Sequence, residues 1–447
     1  MPGRSRSDLT LAFALVASSA SCRDRASFAR AERERLPTID VFHPTLDAVD
    51  TDSSDDSPPR DAPSPADAGP TDAATVAPRC PMRSYPPDEL SIGAAPETGA
   101  SIVWNGHEWG VAWSEPVTSE PTVFFARVGR DGHRIGNPTR ISDRGFRGTS
   151  PSLLWNGRGW GIAYSGGGGR LEEIWYAVVD ERGTPLGRSR RLTARNRRDY
   201  APALASNGHD TLAVWSTQLP DDRWGILAVK LDRWGSQLDY PILVADRRER
   251  LSAPSVMWNG FAWAAAWLVS SRTEATAVDM ARIEPDVSRI RGYPARVTIG
   301  PLGGTDQGAR FGFAWDGVQY GLVWDEVRDG APHAFFDTVG RLLEPRSRGL
   351  MLSPRGDSAT APAIIALGPS IFLAAWVVER GHERHVQVQT FDADARPFGE
   401  HIEVQSNDGI ATMPAIAMSD EAVGIATVSA RGMSFHRVPL GPCTPPP

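Results

Sequence analysis

The sequence predicts an all-β fold, a seven-bladed β-propeller with four antiparallel strands per blade. Three observations lead there. A unit of 51 to 57 residues recurs seven times, an Asn-Gly turn signal returns at one place in most copies, and each copy holds three or four short runs of strand-forming residues.

The repeat is most easily followed through one aromatic position: Trp113, Tyr164, Trp215, Trp267, Trp324 and Trp376, with Thr427 in the seventh place. Nine residues before each stands a partner position: Trp104, Trp155, Ser206, Trp258, Trp315, Leu367 and Met418. In the first copy, Ser101 to Trp104 and Trp109 to Trp113 read as strands a and b. Asn105-Gly106 between them offers the positive φ values of a tight hairpin. The signal repeats at Asn156-Gly157, Asn207-Gly208, Asn259-Gly260 and Asp316-Gly317, then decays to Gly368-Pro369 and Ser419-Asp420.

A third run, such as "TVFFARV" or "EIWYAVV", follows in each copy. It ends in an Asp-x-x-Gly turn at Asp180 to Gly183, Asp232 to Gly235 and Asp337 to Gly340, suited to a type I turn followed by a left-handed glycine. A fourth run, such as "TRISD" or "YPILVAD", completes the unit. Both faces of a blade press on neighbours, so runs such as "GVAW" are continuously apolar where a one-sided sheet would alternate. The fifteen tryptophans all lie between Trp104 and Trp376 and read as wedges between blades.

The seventh unit has only three strands before the chain stops. Glu89 to Gly93, "ELSIG", stands where a missing fourth strand would begin, so an N-terminal strand is expected to complete the last blade and close the ring. The three cysteines agree with this arrangement. With Cys22 set aside, Cys80 and Cys443 flank the two ends that such pairing would bring together, and a disulfide there is chemically permitted in an exported chain.

The unit resembles the Trp-Asn-Gly repeats of secreted bacterial β-propeller proteins, many of them assigned as lipoproteins. The resemblance covers about residues 86 to 440 and is strongest in copies one, two, four and five. It implies a fold and carries no agreed reaction.

Three segments are expected: a signal peptide over 1–21, an Asp/Pro-rich tether over 22–79 and the propeller over 80–447. Arg4 and Arg6 precede the apolar run Leu9 to Ala17, which is too short for a permanent membrane helix of roughly 20 residues. Ser19-Ala20-Ser21-Cys22 resembles the bacterial lipobox, with Ser19 where leucine is usual; the same residues fit ordinary small-x-small cleavage. Lipidation of Cys22 is the reading adopted. Arg23 after it resembles the pattern that enterobacteria sort to the outer membrane. Residues 37–78 hold nine aspartates and no glutamate against Arg60, a composition that cannot bury enough apolar surface to offset its ordering entropy.

Charge narrows the function classes. The net charge of −7 sits almost wholly in that acidic segment, leaving the remainder close to neutral, so non-specific nucleic-acid binding lacks its broad basic surface. Lys230 is the only lysine, which leaves little for Schiff-base chemistry. The nine histidines form no metal pattern, His382 and His385 coming nearest, and there is no Gly-x-Ser-x-Gly. "SGGGGR", Ser165 to Arg170, lacks the Lys-Ser/Thr of a P-loop. No cofactor or metal is expected and no catalytic residue is nominated.

One constellation stands out. Three successive d–a links are rich in arginine and place Arg144, Arg147, Arg195, Arg197, Arg198, Arg247, Arg248 and Arg250 along one side of one face. Guanidinium forks suit carboxylate, phosphate or sulfate, which makes this a candidate anion-binding rim. The alternative is a solvated surface balanced by Glu115, Glu120, Asp325, Glu326 and Glu383, or by the acidic tether. The expected function is a lipid-anchored binding or scaffold protein of the cell envelope, its partner a protein or an anionic glycan. The competing class is a hydrolase or lyase acting on glycans through the funnel, which would need two convergent carboxylates or their equivalent.

Overall fold

The computed structural model describes residues 79–82, 88–90, 98–118, 120–167, 171–193, 197–271, 275–298, 302, 310–345, 349–353, 357–404, 412–429 and 432–443. The expected signal peptide, Cys22 and the tether up to residue 78 lie outside them, as do Arg195 and Ser91 to Gly93.

Every described element is a strand, and the strands form seven sheets in a ring. Blade 1 runs from inner to outer edge as strands a (Thr98–Trp104), b (Trp109–Val117), c (Glu120–Val128) and d (Arg134–Arg140). The inner a strands of blades 2 to 7 are Arg147–Trp155, Asp199–Ser206, Arg250–Trp258, Phe311–Trp315, Ser358–Gly368 and Thr412–Met418.

Apolar burial is organised between the blades. The buried apolar residues fall into seven clusters, each drawing on two neighbouring blades, including one that joins blade 7 to blade 1. Each aromatic wedge belongs to the cluster shared with the preceding blade: Trp113 with blade 7, Tyr164 with blade 1, Trp215 with blade 2. Large aromatics bury about 150–250 Å² each, so one per interface supplies much of the packing. At the sixth interface the place is taken by Thr427, whose hydroxyl meets His436 Nε2 at 2.9 Å, both side chains being buried.

The a–b turn falls between Trp104 and Trp109 as expected, but only one residue of the Asn-Gly pair has positive φ. It is a four-residue loop in which Gly106 alone is left-handed (φ +98°), closed by Asn105 N–H to Glu108 O at 3.1 Å. Asn105 contributes through its side chain: Oδ1 accepts the N–H groups of His107 and Glu108, both at 2.8 Å. Asn156, Asn207, Asn259 and Asp316 do the same, and Ser419 Oγ does so in blade 7, so the signal that seemed to fade there persists in other chemistry. In blade 6 a register shift makes Ala366 the residue opposite Phe372, so the partner position is Ala366 and not Leu367. Gly110 has a packing reason: a Cβ there would lie 2.6 Å from the Trp160 ring of the next blade.

The Asp-x-x-Gly turns form at Asp180 and Asp232, with Gly183 and Gly235 left-handed. In blade 5 the turn lies further on: Gly340 and Leu343 close it, Leu343 takes the left-handed place, and Asp337 stays buried in strand c.

Strand c of blade 7 (Gly432–Pro442) is paired along its outer edge by two N-terminal segments. Arg79–Pro81 pairs with Leu440 to Pro442, and Asp88–Glu89 pairs with Ser434 and Phe435. Of the expected strand Glu89–Gly93, Glu89 makes this pairing and Leu90 N–H donates to Met433 O at 2.8 Å. Cys80 and Cys443 form a disulfide with Cα atoms 5.6 Å apart, closing a sequence separation of 363 residues.

Candidate functional site

The inner strands share a local irregularity that shapes the axis. Ser150, Ala201, Ala253, Ala361 and Met413 each take a left-handed φ of 46° to 50° at a shift in a–b register, and each is followed by proline. The bulge bends the inner strand at this point, and a proline at a free inner edge removes an N–H that would otherwise face the axis unpaired. Together with Gly99 and Ala100 of blade 1 these residues surround an axial cavity of about 440 Å³.

Blade 5 breaks the pattern. Arg310 and Phe311 stand where five blades have Ser, Ala or Met followed by proline and blade 1 has Gly99-Ala100, Arg310 is not left-handed, and strands a and b of this blade run without a register shift. Arg310 is the only charged residue among the described lining. Its Nη2 reaches the sulfur of Met413 at 3.4 Å, two blades away. Behind it, the buried Asp325 accepts the Arg310 backbone N–H through Oδ1 at 2.7 Å and the Ala361 N–H through Oδ2 at 3.3 Å. Burial pushes the Asp325 carboxyl up to about 6, against the opposing pull of these hydrogen bonds. In blade 2 Ser165 plays the neutral version of this part, its Oγ accepting Ala201 N–H at 2.7 Å.

The arginine rim lies at or just before the starts of the inner strands of blades 2 to 4. Arg147, Arg198 and Arg250 each precede a ring residue by three positions, about 10 Å along a strand. Arg144, Arg147, Arg197, Arg198 and Arg248 are exposed and have no ion pair among the described residues. Two rim members have structural partners instead. Arg247 Nη2 lies 2.9 Å from the fully buried carboxylate of Asp279, which also receives Arg296 Nε at 3.1 Å. Arg250 lies over the Trp224 ring, 5.1 Å from its centroid.

Three of the acids expected to balance this surface are occupied in the interior. Glu115 and Glu326 are buried and accept the indole N–H of Trp113 and Trp324 at 2.9 and 3.2 Å. Asp325 serves backbone groups as described. Only Glu120 and Glu383 of that set are exposed. His385 sits beside Glu383 and Glu403, and among the described residues no group of three or more His, Cys, Asp or Glu could hold a metal ion.

The rim was legible as runs of arginine. Arg310 was missed, although the copies laid side by side carry its signal: "TSPS", "YAPA", "SAPS", "TAPA" and "TMPA" stand against "GARFG".

No protein-family model and no curated protein matches the chain. Solved structures do. An ulvan lyase of a polysaccharide lyase family, solved with a chain of glucuronic acid and sulfated rhamnose, is similar with a TM-score of 0.55 at 11% identity, over 79% of this chain and 96% of that one. The β-propeller domain of the trilobed protease from Pyrococcus furiosus is similar at 0.41 and 11% identity, over 77% of this chain and 94% of that one. A prolyl endopeptidase is similar at 0.46 and 16% identity over 79% of this chain, which spans 49% of the peptidase. At these identities the likeness defines the class alone: the chain is a seven-bladed β-propeller.

Proposed function

We propose that this propeller is an exported binding protein of the bacterial cell envelope, held to the membrane by lipid on Cys22, which recognises an anionic glycan or an acidic protein through its arginine rim. The observation that carries this reading is the set of exposed arginines, Arg144, Arg147, Arg197, Arg198 and Arg248, without ion pairs among the described residues. Outside the rim some surface arginines are matched, as Arg223 is by Asp246 at 2.6 Å and Arg191 by Glu173 at 3.2 Å, and others such as Arg158 and Arg182 are not matched among the described residues; what sets the rim arginines apart is their clustering on successive links. Unmatched guanidinium groups on successive links offer a repeating array of forks for carboxylate or sulfate. The glycan hydrolase or lyase alternative would call on groups facing the funnel, where the described lining offers Arg310 as its single charged side chain and no carboxylate.

The test is titration of the full chain with polygalacturonate and dextran sulfate, in parallel with a variant carrying glutamine at Arg147, Arg197, Arg198 and Arg248. Salt-sensitive binding that the variant loses supports the reading; equal binding by the two proteins overturns it.

A further inference from the structure

We infer that the axial cavity is a binding site for a compact organic monocarboxylate with a largely apolar body, and that the Arg310 guanidinium is the group that takes the carboxylate. This goes beyond the rim reading and uses none of its residues.

The first argument is charge. Arg310 is half-buried in a cavity whose described lining contains no acid, and among the described residues no carboxylate makes an ion pair with its guanidinium, the Asp325 charge acting on it only from behind the wall. Among the described residues its one polar side-chain contact is the Met413 thioether at 3.4 Å, a weak acceptor. A guanidinium has five N–H donors, so most of its hydrogen-bonding capacity faces the cavity. A partly desolvated charge of this kind gains most from an anion that fits its planar fork, and a carboxylate does so with two parallel bonds.

The second argument is position. The side chain extends from blade 5 toward the inner strand of blade 7, so its head stands across the axial opening, not in a side crevice. Its backbone is held: Asp325 grips both Arg310 N–H and Ala361 N–H, tying the charged part of the described wall to the wall beside it. A rigid support behind a charged head is what pre-organises a site.

The third argument is the rest of the wall. Apart from Arg310, the described lining side chains are those of alanine, proline, phenylalanine, isoleucine and methionine, with Ser150 and Ser255 supplying hydroxyls. A volume of about 440 Å³ is at the small end of ligand sites, which run from about 300 to 1,000 Å³. A sugar acid would bring several hydroxyls to side chains that answer few of them. An aromatic or short aliphatic acid would leave no such group unpaired.

The experiment measures binding of benzoate, hexanoate and glucuronate to the full chain by calorimetry, with the Arg310→Met and Arg310→Lys variants alongside. Thermal unfolding of each variant confirms that it folds. Benzoate or hexanoate should bind in preference to glucuronate, and Arg310→Met should weaken that binding by about tenfold or more, the loss of one charge-assisted interaction. Arg310→Lys should fall between. Crystals soaked with 4-bromobenzoate provide a readout independent of the variants, with bromine expected inside the ring of prolines. Unchanged affinity in Arg310→Met, tighter binding of glucuronate, bromine found elsewhere, or no saturable binding of any of the three acids in the millimolar range would each overturn the assignment. The rim variant leaves Arg310 in place, so failure of either reading leaves the other standing.

Discussion

Asp325 joins Arg310 through a 2.7 Å hydrogen bond from the Arg310 backbone N–H to Oδ1, and with its second oxygen it holds Ala361 of the next blade. One buried carboxylate therefore supports the charged wall of the axial cavity and the seam between blades 5 and 6. Its ionised form is disfavoured by burial and favoured by the two N–H groups, and burial prevails.

The pH dependence of stability follows, with a second buried group acting in the opposite sense. The Asp325 carboxyl is raised to about 6 in the folded chain, so its contribution is fully present below the unfolded value near 4 and is lost as pH rises through 6, by about 3 kcal/mol in order of magnitude. Burial pushes the His436 imidazole down to about 4, so its contribution is present above the unfolded value near 6.5 and is lost as pH falls toward 4. Relative to the wild type, Asp325→Asn should therefore lose stability more steeply on acidification from pH 7 to 4, and His436→Gln less steeply. Denaturant unfolding at several pH values checks both signs; parallel slopes in all three proteins would contradict them.

Gly110→Ala tests the seam between blades 1 and 2. The added Cβ would meet three Trp160 ring carbons at 2.6 to 2.9 Å, and overpacking of that kind costs about 1–3 kcal/mol. Gly99→Ala is the control, since its Cβ would meet only Met413 Cβ at 3.7 Å. A lower unfolding midpoint is expected for Gly110→Ala alone.

Cys443→Ser removes the link between the N-terminal segment and the last blade. Disulfide loss is expected to cost about 2–5 kcal/mol, and the entropic part grows with a loop as long as 363 residues. Limited proteolysis should then cut first near Arg79. If the pairing of Arg79–Pro81 and Asp88–Glu89 closes the ring, protection from amide exchange should fall together in blades 7 and 1.

Asp279→Ala removes the carboxylate with which both Arg247 and Arg296 form ion pairs. Both arginines reach solvent once released, so the cost should be about 1–3 kcal/mol, below that of breaking a wholly buried pair. A change smaller than the error of the unfolding measurement would mean that the triad adds nothing to the seam between blades 3 and 4.

The division between sequence and structure follows the range of the interactions. The blade count, the strand sequence within a blade and the wedge positions could be read directly, because a repeat of 51 to 57 residues writes each local choice seven times. The turn type was misread in detail because Asn105 acts through its side-chain oxygen, and residue identity alone does not reveal that. The same limit applies to Glu115 and Glu326: in the sequence they look like surface charge following strand b, and only the packed indole beside each makes it an interior acceptor. What tertiary structure alone decided is what faces what. Arg247 belongs to Asp279, while the neighbouring Arg248 is left to solvent. Arg310 departs from a pattern of uncharged residues, in five blades followed by proline, whose meaning appears only when seven inner strands converge on one axis, since residues about one repeat apart in the chain become neighbours there.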